Sequence, residues 1–93
     1  MSEDHKKTIL HFLSFPGMYI QNIDEVNITS FLTGYQIGTN HVCDFTIILS
    51  KHLEENLKIP KLSTGWPGQV MQYSQNENLS WVSAFKKLAT AVL

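Results

Sequence analysis

Ninety-three residues, 43 % hydrophobic and 16 % charged, with seven lysines against eight carboxylates for a net charge of −1, suit one small soluble domain; they exclude TIM barrels and dinucleotide-binding α/β enzymes by length. Arginine is absent, and with it the side chain that reads phosphate and guanine in bidentate fashion, so the composition argues against nucleic acid as a partner. The single cysteine, Cys43, cannot close an intrachain disulfide, no run approaches the roughly 20 apolar residues of a membrane span, and the polar start has no signal core; a cytoplasmic protein with no membrane partner is the expectation.

In chain order, the first predicted helix covers about residues 4 to 15, with capping chemistry at Ser2 and Asp4 and with Ile9, Leu10, Phe12 and Leu13 on its apolar face. Pro16-Gly17 ends it, and Met18-Tyr19-Ile20 is expected to run extended. A second helix follows from Asp24 to Gly38, where Ile28, Phe31, Leu32 and Tyr35 share one arc and Asp24 or Asn27 serves as cap. Gly38-Thr39-Asn40 breaks it. The third helix, 42 to 57, aligns Val42, Phe45, Ile48, Leu49, His52 and Leu53, adds a Glu54–Lys58 pair one turn apart, and is closed by Pro60. Ser63-Thr64 caps a short fourth helix that includes Trp66-Pro67 and runs through Tyr73, before a polar break over Ser74–Asn78. Trp81, Val82, Phe85, Leu88, Ala89 and Val92 form the stripe of a last helix that docks. No segment shows the sustained alternation bounded by turns that a strand needs, although Met18-Tyr19-Ile20 and Thr46–Leu49 are short enough to read either way. The expected fold is all-α, a compact single-domain bundle of about five helices spanning residues 1–93.

Chemistry is sparse along this chain. His41, Cys43 and His52 invite a zinc reading, but nine residues on one helix set Cys43 and His52 about 180° apart, and no fourth ligand completes a site. No Gly-x-Ser-x-Gly element or phosphate loop is present, so neither catalysis nor a cofactor is expected, and His5 and His11 read as solvated. On the third helix Asp44, Lys51, Glu54, Glu55 and Lys58 lie opposite the apolar stripe with Ile47 among them. An apolar residue in a charged field is either an ordinary surface residue or the centre of a small interface whose charges orient the partner. Trp66 and Tyr73 carry the same two readings, core anchor first.

The segment Phe15-Pro16-Gly17-Met18-Tyr19-Ile20, followed by Ile28, Phe31-Leu32 and Gly34-Tyr35, resembles the Arg-Pro-Gly-Met-Tyr start and Phe-Leu-x-Gly-Tyr helix of small bacterial immunity proteins from polymorphic toxin and contact-dependent growth-inhibition systems. Gly65-Trp66 and the amphipathic segment Trp81 to Leu93 fit the same layout, while Phe15 stands where the family has arginine. The resemblance implies a non-catalytic cytoplasmic inhibitor that binds the C-terminal domain of a cognate toxin, a nuclease in the first instance, and blocks its active site or the approach of substrate. Asp24, Glu25, Asp44, Ile47, Lys51, Glu54 and Glu55 are the partner-binding residues expected on that reading. Pro16-Gly17-Met18-Tyr19 is read as architecture, a helix stop with Met18 and Tyr19 buried against the second helix. The alternative is a small helical adaptor or regulator that acts through homo- or hetero-oligomers, with a homodimer formed through exposed groups such as Ile47.

Overall fold

Side-chain caps and left-handed residues set several of the helix boundaries. In the computed structural model, which describes residues 1–93, the helices are α1 (Glu3–Ser14), α2 (Glu25–Gly38), α3 (Phe45–Glu55), α4 (Gly65–Asn76) and α5 (Trp81–Val92), with a 3-10 turn at Pro16–Met18 and no strand. The fold class is all-α. Contacts group the chain into two units, Met1–Phe45 with Leu93, and Thr46–Val92.

In the first unit, Ser2 Oγ accepts the His5 amide at 3.3 Å, and Glu3 and Asp4 occupy the positive end of the helix dipole. α1 buries Ile9 and Phe12. Leu10, expected beside them, is exposed, because it lies about 160° from Phe12 around the helix. After α1 the chain does not run extended: Met18 and Tyr19 donate to the Phe15 and Pro16 carbonyls at 3.1 and 3.0 Å, closing the 3-10 turn. That turn directs Met18 outward, 73 % exposed rather than buried. Tyr19, expected buried, is also exposed at 36 %, although its ring turns back edge-on to Phe12 and Phe31 at 5.5 and 5.2 Å between ring centroids.

Asp24 caps α2, its Oδ1 accepting from Asn27 N and Nδ2 at 2.9 Å each. α2 buries Ile28 and Leu32 and presents Phe31 and Tyr35 to an aromatic stack in which Phe12 and Phe31 lie 4.4 Å apart. Its end is set by Asn40 and His41, both at positive φ (55° and 62°), with the His41 amide donating to the Gln36 carbonyl at 2.8 Å. Thr39 Oγ1 then accepts the Cys43 amide at 3.2 Å. These bonds hold residues 40–44 outside a helix, so α3 starts at Phe45 instead of 42, and Val42 is exposed rather than part of the stripe.

In the second unit, α3 buries Leu49 and Leu53. It stops at Glu55 because Lys58 adopts φ 59° and the Ile59 amide donates to the Leu53 carbonyl at 2.9 Å. Lys58 therefore leaves the helical path, and the expected Glu54–Lys58 pair does not form. α4 continues to Asn76, beyond the predicted Tyr73, with Ser74 buried and its hydroxyl donating to the Met71 carbonyl at 2.6 Å. The polar run stays helical because its buried hydroxyl finds a backbone acceptor one turn back. α5 buries Trp81, Phe85, Leu88 and Ala89 of its predicted stripe together with Ala84, while Val82 and Val92 are half-buried. Ser80 Oγ accepts the Ser83 amide at 3.1 Å, and α4 packs against α5. Trp81 donates its indole N–H to the Pro67 carbonyl at 3.1 Å and stacks on Phe85 at 5.4 Å, with half-buried Trp66 at 6.0 Å from Trp81. Burial of a side chain such as Phe85 contributes about 1.5–3 kcal/mol.

Candidate partner-binding surface

The outer face of α3 follows from its helical spacing. Ile47, Lys51 and Glu54 fall within an arc of about 60°, opposite Leu49 and Leu53. Ile47 is 63 % exposed. Ile47, Ser50, Lys51, Glu54, Glu55 and Lys61 together line an open concavity of about 190 Å³. Lys61 comes from the loop after α3, and the position of that loop has a specific cause. Gln69, buried on α4, donates its Nε2 to the Ile59 carbonyl at 2.9 Å and the Ser50 carbonyl at 3.3 Å, while its Oε1 accepts the Ser50 hydroxyl at 2.6 Å. One amide thus ties α3, α4 and the loop together. The result is an apolar centre within a rim of two lysines and two glutamates, which is the anatomy of a small protein interface: a desolvatable core with charges that orient the approach.

Of the seven residues expected to bind a partner, Ile47, Lys51, Glu54 and Glu55 are brought together here. The other three belong to the first unit. Asp24 is committed to capping α2, Glu25 stands half-buried in the first turn, and Asp44 Oδ1 lies 3.5 Å from the Met1 ammonium. Sequence reasoning did not single out Ser50, Lys61 or Gln69. Gln69 does leave a signal, being the polar member of the series Trp66, Gln69, Val70, Tyr73 at core spacing.

The titratable and nucleophilic groups are placed as follows. His5 Nδ1 and the Tyr35 hydroxyl are hydrogen-bonded at 2.8 Å, and His11 Nδ1 and the Tyr19 hydroxyl at 2.6 Å. Both histidines are therefore bound to tyrosines rather than merely solvated, because the aromatic stack from α2 and the turn reaches α1. Cys43 is buried with its Sγ 4.0 Å from Met1 Sδ, and His52 Nδ1 accepts from Asn56 Nδ2 at 2.8 Å. No three His, Cys, Asp or Glu side chains converge. A larger concavity of about 280 Å³ beside the 57–62 loop is lined by Leu57, Lys58, Leu62, Gln72 and Asn76, among others. Lys58 is its one charged group, and the Gln69 amide at its edge is already spent on the loop. No helix is long and apolar enough to cross a membrane.

No protein-family model, curated protein or solved structure matches the chain.

Proposed function

We propose that this chain is a bacterial immunity protein, a non-catalytic cytoplasmic binder that neutralises a cognate toxin domain, in the first instance a nuclease, by covering its active site or its substrate path. The observation that carries the reading is the α3 face. Ile47 stands out of the charged rim formed by Lys51, Glu54, Glu55 and Lys61, on a helix held in place by the Gln69 clamp. The resemblance of Pro16-Gly17-Met18-Tyr19 and Gly34-Tyr35 to immunity proteins supplies the kind of partner; the surface supplies a place for it. Inhibition on this model needs occlusion alone, so affinity rests on a buried apolar centre, and the rim contributes orientation and association rate.

The test is co-purification of the tagged chain with the product of the gene immediately upstream, at low and then high salt, with toxicity scored in cells that lack the chain. A specific 1:1 complex together with rescue supports immunity. Absence of both from a chain whose helicity is verified removes it.

A further inference from the structure

The concavity of about 280 Å³ beside the 57–62 loop lies outside the α3 face, and its lining is sorted by chemistry. The loop supplies aliphatic groups, Leu57, Ile59, Pro60 and Leu62, of which Ile59 is buried and Leu62 exposed. α4 and the residue before it supply the polar ones. Gln72 Nε2 donates to Asn76 Oδ1 at 2.9 Å, which leaves Gln72 Oε1 to accept and Asn76 Nδ2 to donate. Thr64 adds a hydroxyl that caps no helix amide, and it fits against α4 because Gly68 has no Cβ to collide with its Oγ1. No carboxylate lines the space.

Lys58 is the one cation of this lining, and its backbone singles it out. Of the four non-glycine residues at positive φ, Asn40, His41 and Asn78 belong to the types enriched in the left-handed region, whereas Lys58, at 59°, does not. It fills the position after α3 where glycine is the usual helix terminator. A lysine there strains the turn, yet it brings to the concavity an ammonium that makes no ion pair. Strain of this kind clusters at ligand clamps.

We propose that this concavity binds a small N-acylated aliphatic amino acid. Lys58 pairs with the ligand's carboxylate, to which the Thr64 hydroxyl donates a second bond. The Gln72–Asn76 amides answer the ligand's own amide, one accepting from its N–H and the other donating to its carbonyl. Its aliphatic side chain lies on Leu57, Ile59 and Leu62. Each part of the lining thereby excludes a competitor. The lack of a carboxylate leaves an amine unpaired, and a single lysine without arginine is a poor match for a phosphate cluster. A volume of about 280 Å³ is at the small end of ligand cavities, suited to one residue rather than a dinucleotide. The same chemistry occurs as a free acid and at the carboxyl end of a polypeptide. The site stands whether or not the α3 face binds a toxin.

The experiment is titration of the ¹⁵N-labelled chain with N-acetyl-leucine, followed by amide chemical shifts. A single site with a Kd of about 1 mM, the strength expected of so small a ligand, should shift the amides of residues 57–62 and 64–68 and the side-chain amides of Gln72 and Asn76. N-acetyl-leucinamide, which lacks the carboxylate, should bind about tenfold more weakly, and 4-methylpentanoate, which lacks the amide, should also lose affinity. Lys58→Gly should cut affinity about tenfold while its denaturation midpoint rises, a combination that damage to the fold does not produce. Lys58→Gln should show the same loss of affinity without relief of the strain, and Lys58→Arg should retain binding. A tetrapeptide ending in leucine separates the two sources: binding equal to that of N-acetyl-leucine assigns the site to polypeptide ends, and exclusion assigns it to the free acid. The proposal is overturned if the lining residues do not shift, if the leucinamide binds equally well, or if Lys58→Gly and Lys58→Gln keep wild-type affinity.

Discussion

Truncating Gln69 would strip the Ser50 hydroxyl and the Ile59 carbonyl of their partners at once, in a place water does not easily reach. Three hydrogen bonds converge on this amide, and an orphaned buried polar group costs about 1–3 kcal/mol, with a further loss from the cavity. Gln69→Ala is thus expected to destabilise the protein by about 3 kcal/mol, read as a fall in the denaturation midpoint, and to loosen Lys61 at the rim of the α3 concavity. A midpoint within error of wild type would show that the clamp does not hold the loop. Two glycines give a sharper contrast, because the same substitution should act with opposite sign. Gly34, inside α2, has open space where a Cβ would stand, so Gly34→Ala should stabilise by about 0.5–1 kcal/mol through helix propensity and a less flexible unfolded chain. At Gly68 a Cβ would collide with Thr64 Oγ1 and also crowd its Cβ. Gly68→Ala should therefore destabilise by about 1–3 kcal/mol despite the better propensity of alanine. Thermal melts of the two variants decide it, and a gain at both positions would mean that the backbone at Thr64 shifts aside without cost.

At the scale of elements, helix interiors follow from side-chain spacing and helix ends from single backbone conformations. α5 buries four of the six residues of its expected stripe, Trp81, Phe85, Leu88 and Ala89, which repeat at one period, while Val82 and Val92 are half-buried and Ala84 joins the core. The start of α3 was not legible. It depends on left-handed Asn40 and His41 and on the Thr39 hydroxyl bond to the Cys43 amide, and neither leaves a periodic trace. The same holds for its end. Lys58 at φ 59° pays the steric cost of a Cβ in the left-handed region. Lys58→Gly should recover about 0.5–1 kcal/mol if that geometry is what terminates α3, a gain measurable by denaturant midpoint; a loss would mean that the lysine side chain itself stabilises the turn. The Pro16–Met18 turn departs from expectation for a related reason. An apolar triplet after a helix stop predicts an extended segment with Met18 and Tyr19 buried, but hydrogen bonds back to Phe15 and Pro16 wind it and turn Met18 out to solvent.

For the whole molecule, the charges divide unevenly along the chain, a distribution that net charge conceals. Residues 1–45 carry two lysines against five carboxylates, and residues 46–92 carry five lysines against three, so the overall −1 gives little long-range steering, and attraction to a partner falls to local groups. The α3 face is where such groups surround an exposed apolar centre. Four of its six lining residues were legible in the sequence, because Ile47, Lys51, Glu54 and Glu55 share a helix; Ser50 was not singled out, and Lys61 could not be, because a loop folded over Gln69 brings it there. The mixed rim makes a specific prediction. Reversing Glu54 and Glu55 to lysine turns a balanced rim into four lysines, and rim charges act chiefly on association rate. On the proposed function, the double variant should therefore associate with its protein partner about tenfold more slowly at low salt, with less difference as salt screens the rim. Dissociation should change little, because Ile47 still fills the centre. Ile47→Asp should do the reverse, raising the dissociation rate while leaving the salt dependence of association nearly intact. Stopped-flow or surface-based kinetics on the two variants separates these effects. If both leave the proposed complex unchanged, the α3 concavity drops out as the partner-binding surface.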